Sequence, residues 1–99
     1  MKKRFNIRVE LLGGADGNDY AHLHERMVSN HFGPLIVADN STVHHLPPAE
    51  YVHVSEGTAV QVRDQANAII ASVLRTGLSY RTYVVEFVDW ASTNLLPAK

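Results

Sequence analysis

The chain has no cysteine, so disulfides and thiolate metal sites are excluded, which suits a reducing, cytoplasmic compartment. It has no excess of either charge sign. With net charge -1 and a sequence pI near 6.6, no global field draws it to nucleic acid or anionic lipid, and any RNA contact must come from a local patch. Long apolar runs are missing too, so no stretch approaches a membrane span and no membrane insertion is expected. Met1-Lys2-Lys3-Arg4 has the basic start of a signal peptide, but Arg8 and Glu10 stand where its apolar segment would have to be. Repeats, linkers and low-complexity tracts are absent. What remains is ordinary globular composition, 45% hydrophobic and 19% charged over 99 residues, enough for one core and too little for two. Residues 1–99 therefore read as a single domain, with 89–99 as a C-terminal tail.

The hydrophobic period changes along the chain in an informative order. Phe5, Ile7, Val9 and Leu11 alternate with Asn6, Arg8 and Glu10, the pattern of a strand with one buried and one wet face. The segment from Gly13 to Asp19 is turn chemistry, and Asp19 is placed to cap a helix starting near Tyr20. Tyr20, Leu23, Met27 and His31 recur at helical spacing up to the stop at Gly33-Pro34. Leu35 to Ala38, the turn Asp39-Asn40-Ser41 and Thr42 to Leu46 read as a hairpin. Pro47-Pro48 breaks the pairing, which resumes over Glu50 to Val54. Thr58 and Gln61 are spaced as a capping box, Val62, Ala66, Ile69, Ile70 and Val73 form the stripe behind it, and Gly77 is the expected C-terminal stop. Arg81 to Val88 is rich in β-branched and aromatic residues, and Trp90 with Leu95-Leu96 could dock the tail on the core.

Strand, helix, strand, strand, helix, strand predicts an α+β, ferredoxin-like βαββαβ domain, a four-stranded antiparallel sheet with two helices on one face. The first strand and the strand around Tyr51 would then be neighbours, with the face opposite the helices left open. Alternation is taken to put Arg8, Glu10, Tyr51 and His53 on that open face, a platform for stacking a base and holding a phosphate.

Six histidines raise the question of metal, and spacing argues against it. His22 and His24 diverge by about 200° on a helix, and His24 and His31 share a face but lie roughly 10 Å apart along its axis. His44 and His45 would point to opposite sides of a strand. No metal and no cofactor is expected. Ribonuclease chemistry needs a base for the 2′-hydroxyl, an acid for the leaving oxygen and a cation for the phosphorane charge. Asp39 in the hairpin, His53 and Arg26 are the catalytic candidates; Arg8, Tyr51 and His44 are the RNA-binding candidates. The glycines from Gly13 to Gly17 have neither phosphate-loop nor dinucleotide spacing and read as a turn.

The blocks Phe5-Asn6-Ile7-Arg8-Val9-Glu10, Tyr20-x-x-Leu23-x-x-x-Met27, Leu46-Pro47-Pro48-Ala49-Glu50-Tyr51 and Thr76-Gly77-x-Ser79-Tyr80, followed by Glu86 and Trp90, resemble a family of small bacterial proteins. That family is grouped with GhoS, the endoribonuclease antitoxin of type V toxin-antitoxin systems. The resemblance spans nearly the whole chain and implies a ferredoxin-like fold related to the small CRISPR-associated nucleases. It further implies an antitoxin that cleaves the messenger RNA of a small membrane-damaging toxin. Phe5-Asn6 and Ile36-Val37-Ala38-Asp39 match the characterised branch, which carries over Asp39, while the Leu46 to Tyr51 block belongs to the wider group.

Two functions follow as expectations. One is an endoribonuclease antitoxin acting on single-stranded RNA. The other is a non-catalytic module, a homodimer that binds RNA or protein through its open sheet face.

Overall fold

The computed structural model describes residues 1–38 and 40–98. Its elements are β1 (Lys3–Leu12), α1 (Gly17–Ser29), β2 (Leu35–Val37), β3 (Val43–His45), β4 (Glu50–Ser55), α2 (Ala59–Ala71) and β5 (Ser79–Phe87). The class is α+β, with two helices and antiparallel sheets.

β1 is the centre. It pairs antiparallel with β4, Ile7 opposite Tyr51, and with β5, Ile7 opposite Val84, giving the order β4-β1-β5. Its alternation is realised as expected: Phe5, Ile7, Val9 and Leu11 are buried, and Arg8 and Glu10 are exposed. The buried row packs against Leu23 and Met27 of α1 and Val62, Ala66 and Ile70 of α2, the residues that helical spacing had aligned.

The expected four-stranded sheet is instead a three-stranded sheet and a two-stranded ribbon. Gly33 exchanges two backbone bonds with Val52, Gly33 N–H to Val52 O at 2.9 Å and Val52 N–H to Gly33 O at 2.8 Å. The pairing with β4 stops at that single bridge: Pro34 turns its carbonyl away from β4, toward Leu46 N–H at 2.8 Å, and the residues after it engage β3 instead. The chain then turns into β2, which pairs with β3 from Leu35↔His45 to Val37↔Val43. The Pro47-Pro48 interruption falls as expected between β3 and β4.

The helix ends differ from the sequence reading in instructive ways. Asp16, not Asp19, is the N-cap of α1, and Asp19 sits at the third helical position, where the two aspartates form a reciprocal capping box. Asp19 is free for a second duty. Its carboxylate receives a two-pronged contact from Arg75, Nε to Oδ1 at 3.0 Å and Nη2 to Oδ2 at 3.1 Å, and Arg75 also donates to Gly14 O at 3.2 Å. α1 ends at Ser29, and His31 is left-handed at φ 67°, outside the helical stripe. α2 ends at Ala71, before Val73, and Gly77 (φ 95°) serves the turn into β5. There the Gly77 carbonyl lies against Gly13, where an added Cβ would stand 2.6 Å from that oxygen.

Two predictions arise from these ends. At α2, Thr58 Oγ1 accepts from Gln61 N–H (3.2 Å) and Gln61 Oε1 accepts from Thr58 N–H (2.8 Å), the box the sequence foretold. Thr58→Ala leaves the Gln61 N–H to water and should cost about 1 kcal/mol in urea unfolding, with an unchanged slope. At α1, the Arg75 guanidinium, followed by the Asp16 N–H, holds the Asp19 carboxyl below its ordinary 3.8. A depressed acid contributes stability that is present above the unfolded value and lost as pH falls through the folded one. A carbon-detected titration should therefore show Asp19 ionising below 3.8, and Arg75→Ala should move it upward.

Candidate functional site

β1 outruns β4. β4 starts at Glu50, opposite Arg8, whereas β1 continues to Leu12, so the edge of β1 beyond Arg8 has no strand beside it. The backbone there is satisfied by other means: Val9 N–H donates to Ala49 O at 3.0 Å, and Leu11 N–H to the Tyr20 hydroxyl at 3.0 Å. The result is a notch walled by α1 on one side and the Pro48–Ala49 turn on the other. It forms an open groove of about 680 Å³, called the α1 groove below.

Arg8, Glu10, Tyr20, His24 and Tyr51 bring polar groups to it. Tyr51 is 2% exposed, and its ring lies 6.0 Å from that of His24 at 39°. Burial pushes the Tyr51 phenol up to about 12, so at neutral pH it is a protonated donor. His24 is exposed on α1, one turn after Tyr20. Glu10 is engaged by Arg81, Nη1 to Oε1 at 3.3 Å, on the strand paired with it. Arg8, His24 and Tyr51 thus line one space.

A second cavity, of about 470 Å³, lies where the C-terminal segment crosses the sheet. The segment adds to the ribbon: Ala98 N–H donates to Val43 O (2.9 Å) and His45 N–H to Leu96 O (2.8 Å). Trp90 and Leu95 are half-buried as the docking idea required, while Leu96 remains exposed. Arg4, Thr42, His44, Asp89 and Trp90 line this tail cleft. Arg4 is held there, donating to Val88 O at 2.6 Å and lying 4.7 Å from the centre of the Phe87 ring. His44 Nδ1 is buried and has no hydrogen-bond partner among the described residues.

The open platform needs correction. Residues opposite each other on antiparallel strands share a face, and Tyr51 is opposite Ile7 while His53 is opposite Phe5. Both therefore point toward the helices, away from Arg8. His53 stacks on Phe32 at 3.9 Å between centroids and 5° between planes, with Nδ1 2.9 Å from His31 O. The far face carries Arg4, Asn6, Arg8 and Glu10 of β1 with Val52, Val54, Arg81, Tyr83, Val85 and Phe87. Half of it is not open at all. Ile36, Leu46 and Pro47 of the ribbon side and Trp90 and Leu95 of the tail stand over Asn6, Val85 and Phe87 across a gap of about 300 Å³.

The six candidate residues are thus distributed. Arg8 and Tyr51 meet at the α1 groove, though from opposite faces of the sheet, and His44 lies in the tail cleft. Arg26, at the end of α1, donates to Ser72 Oγ at 3.4 Å, and neither it nor His53 lines either cavity. Asp39 lies outside the described residues; its neighbours Ala38 and Asn40 line the tail cleft. Sequence reasoning weighed His24 only as a metal ligand and passed over Arg4 and Asp89. His24 could have been found as the position four after Tyr20, on the flank of the buried stripe. Among the described residues no three His, Asp or Glu gather as metal ligands, and no helix is long and apolar enough to cross a membrane.

The chain is a small α+β domain with an open groove at a strand end. Comparison with family models, with curated proteins and with solved structures finds no match to it.

Proposed function

We propose that this protein acts on single-stranded RNA, seating one phosphate in the α1 groove and cleaving beside it, in the manner of a cytoplasmic GhoS-like antitoxin. The observation that carries the reading is the meeting of Arg8, His24 and the protonated Tyr51 phenol at one groove. Arg8, Tyr20, Pro48, Ala49 and Tyr51, taken from three of the blocks that carry the family resemblance, line the same groove. The fold reading that accompanies it is a ferredoxin-like βαββαβ layout in which the fourth strand is reduced to the Gly33–Val52 bridge. Extending the order β4-β1-β5 by that bridge supports it.

The chemistry is transesterification. His24 takes the 2′-hydroxyl proton, the 2′-oxygen attacks the adjacent phosphorus, and Arg8 and the Tyr51 phenol donate to the non-bridging oxygens as negative charge builds there. The 5′-oxygen leaves with a proton from solvent. The products are a 2′,3′-cyclic phosphate and a 5′-hydroxyl end. Because side chains supply the base and the charge stabilisation, cleavage should persist in EDTA.

Incubating the purified protein with end-labelled single-stranded RNAs, with and without EDTA, tests this. Fragments with cyclic phosphate ends, unaffected by EDTA, are the expected result. Binding without product would leave the non-catalytic module standing, and neither binding nor product would remove the RNA reading.

A further inference from the structure

We infer that β5 is the contact surface for a second copy of this chain, the two β5 strands pairing antiparallel about a two-fold axis at Tyr83 so that the sheets join into one. β1 sends the backbone groups of Val9 and Leu11 toward the β4 side, so its even-numbered residues face β5, and their partners are Ser79, Arg81, Tyr83, Val85 and Phe87. The N–H and C=O groups of Tyr80, Thr82, Val84 and Glu86 consequently point outward, away from β1. This is a long row of obligatory hydrogen-bonding groups at a sheet edge.

Arg81 and Glu86 are exposed charges on this strand, but the other usual protections of such an edge are missing from it. β5 runs nine residues and contains neither proline nor lysine, and its register with β1 is unbroken from Ser79↔Leu12 to Phe87↔Arg4, so no bulge twists it away. The opposite edge of the sheet is protected, since β4 is bridged at Val52 by Gly33 and flanked by the ribbon. One edge is managed and the other is left ready to pair.

A second copy fits better than an unrelated strand. A two-fold at Tyr83 sets Thr82 against Val84 and Tyr80 against Glu86 of the partner copy, and every outward-facing group then finds a partner. Shifting the register by two leaves groups at the end of the strand unmatched. Tyr83, 66% exposed, would meet its own counterpart at the non-hydrogen-bonded position, where opposing side chains approach most closely. A net charge of -1 opposes self-association very little. α2 does not obstruct the edge, because it lies over the helix face of β5, where Thr82 Oγ1 and Asn67 Oδ1 are 2.9 Å apart.

Sedimentation equilibrium combined with amide exchange tests the pairing. Wild type should sediment at about twice the 11.0 kDa chain mass, and the Thr82 and Val84 amides should exchange more slowly as concentration rises. Tyr83→Lys places two ammonium groups across the axis and should raise the dissociation constant roughly tenfold or more, with unchanged circular dichroism. A monomeric wild type whose Thr82 and Val84 amides exchange at a concentration-independent rate would overturn the inference. So would a dimer in which those amides stay fast, or one that Tyr83→Lys leaves intact. The exchange measurement on wild type decides the matter even if the variant folds poorly.

Discussion

Tyr51→Ala should destabilise the domain by about 3–5 kcal/mol, a large part of the stability of a chain this size, and leave much of it unfolded at 37 °C. The ring is among the largest side chains fully buried, and it packs with Phe5, Ile7, Leu23 and Met27 in the cluster that joins sheet to helices. Removing it opens a cavity that β1 and α1, fixed by their own partners, cannot close. Tyr51→Phe behaves differently: it keeps the ring and should cost under about 1.5 kcal/mol. It also removes a titration. A phenol raised to about 12 by burial has its full stability below the unfolded value of 10.0 and loses it as pH rises from there. Wild type should therefore weaken between pH 10 and 12 more than Tyr51→Phe does, as read by unfolding midpoints across that range.

The second large effect concerns activity. Arg8→Ala and His24→Ala should each lower RNA cleavage by about 10²- to 10⁴-fold, because one removes the cation facing the phosphorane and the other the base. Both side chains are exposed, so thermal unfolding should move little. Tyr51→Phe, still folded, should lose roughly 10²-fold by withdrawing one donor. Arg26→Ala and His53→Ala should cut nearly as well as wild type, since the first group is spent on Ser72 and the second on Phe32 and His31. Single-turnover rates on one labelled RNA check all five. Equal rates for wild type, Arg8→Ala and His24→Ala would end the α1-groove mechanism.

β1 and the two helical stripes were legible because each carries its own period and its own stop, and the Thr58–Gln61 box marks the start of α2 to the residue. The membership of β2 in a sheet was not. A three-residue strand after Gly33-Pro34 has the same local signature whether it joins β4 or pairs only with β3, and what separates the two is long-range pairing that the segment itself does not encode. The facing of β4 was misjudged for a related reason. Pro47-Pro48 separates it from any strand of known parity, and Val52 and Val54 look like its buried row. The fold buries Tyr51 instead and leaves Val54 half exposed, because the space between β1 and α1 takes an aromatic ring. The α1 groove itself depends on β1 being longer than β4, a comparison of two strand ends that no single window of sequence contains. The tail cleft depends likewise on the chain end returning to β3.

Chemical-shift mapping with a short single-stranded RNA, its cleavable 2′-hydroxyl replaced by 2′-O-methyl, tests the central claim most directly. The account predicts shifts concentrated at Arg8, Val9, His24, Ala49 and Tyr51, with the Arg26 and His53 resonances still. Shifts confined to Arg26 and His53, shifts confined to the tail cleft around Arg4 and Trp90, or no shifts at saturating RNA would contradict it.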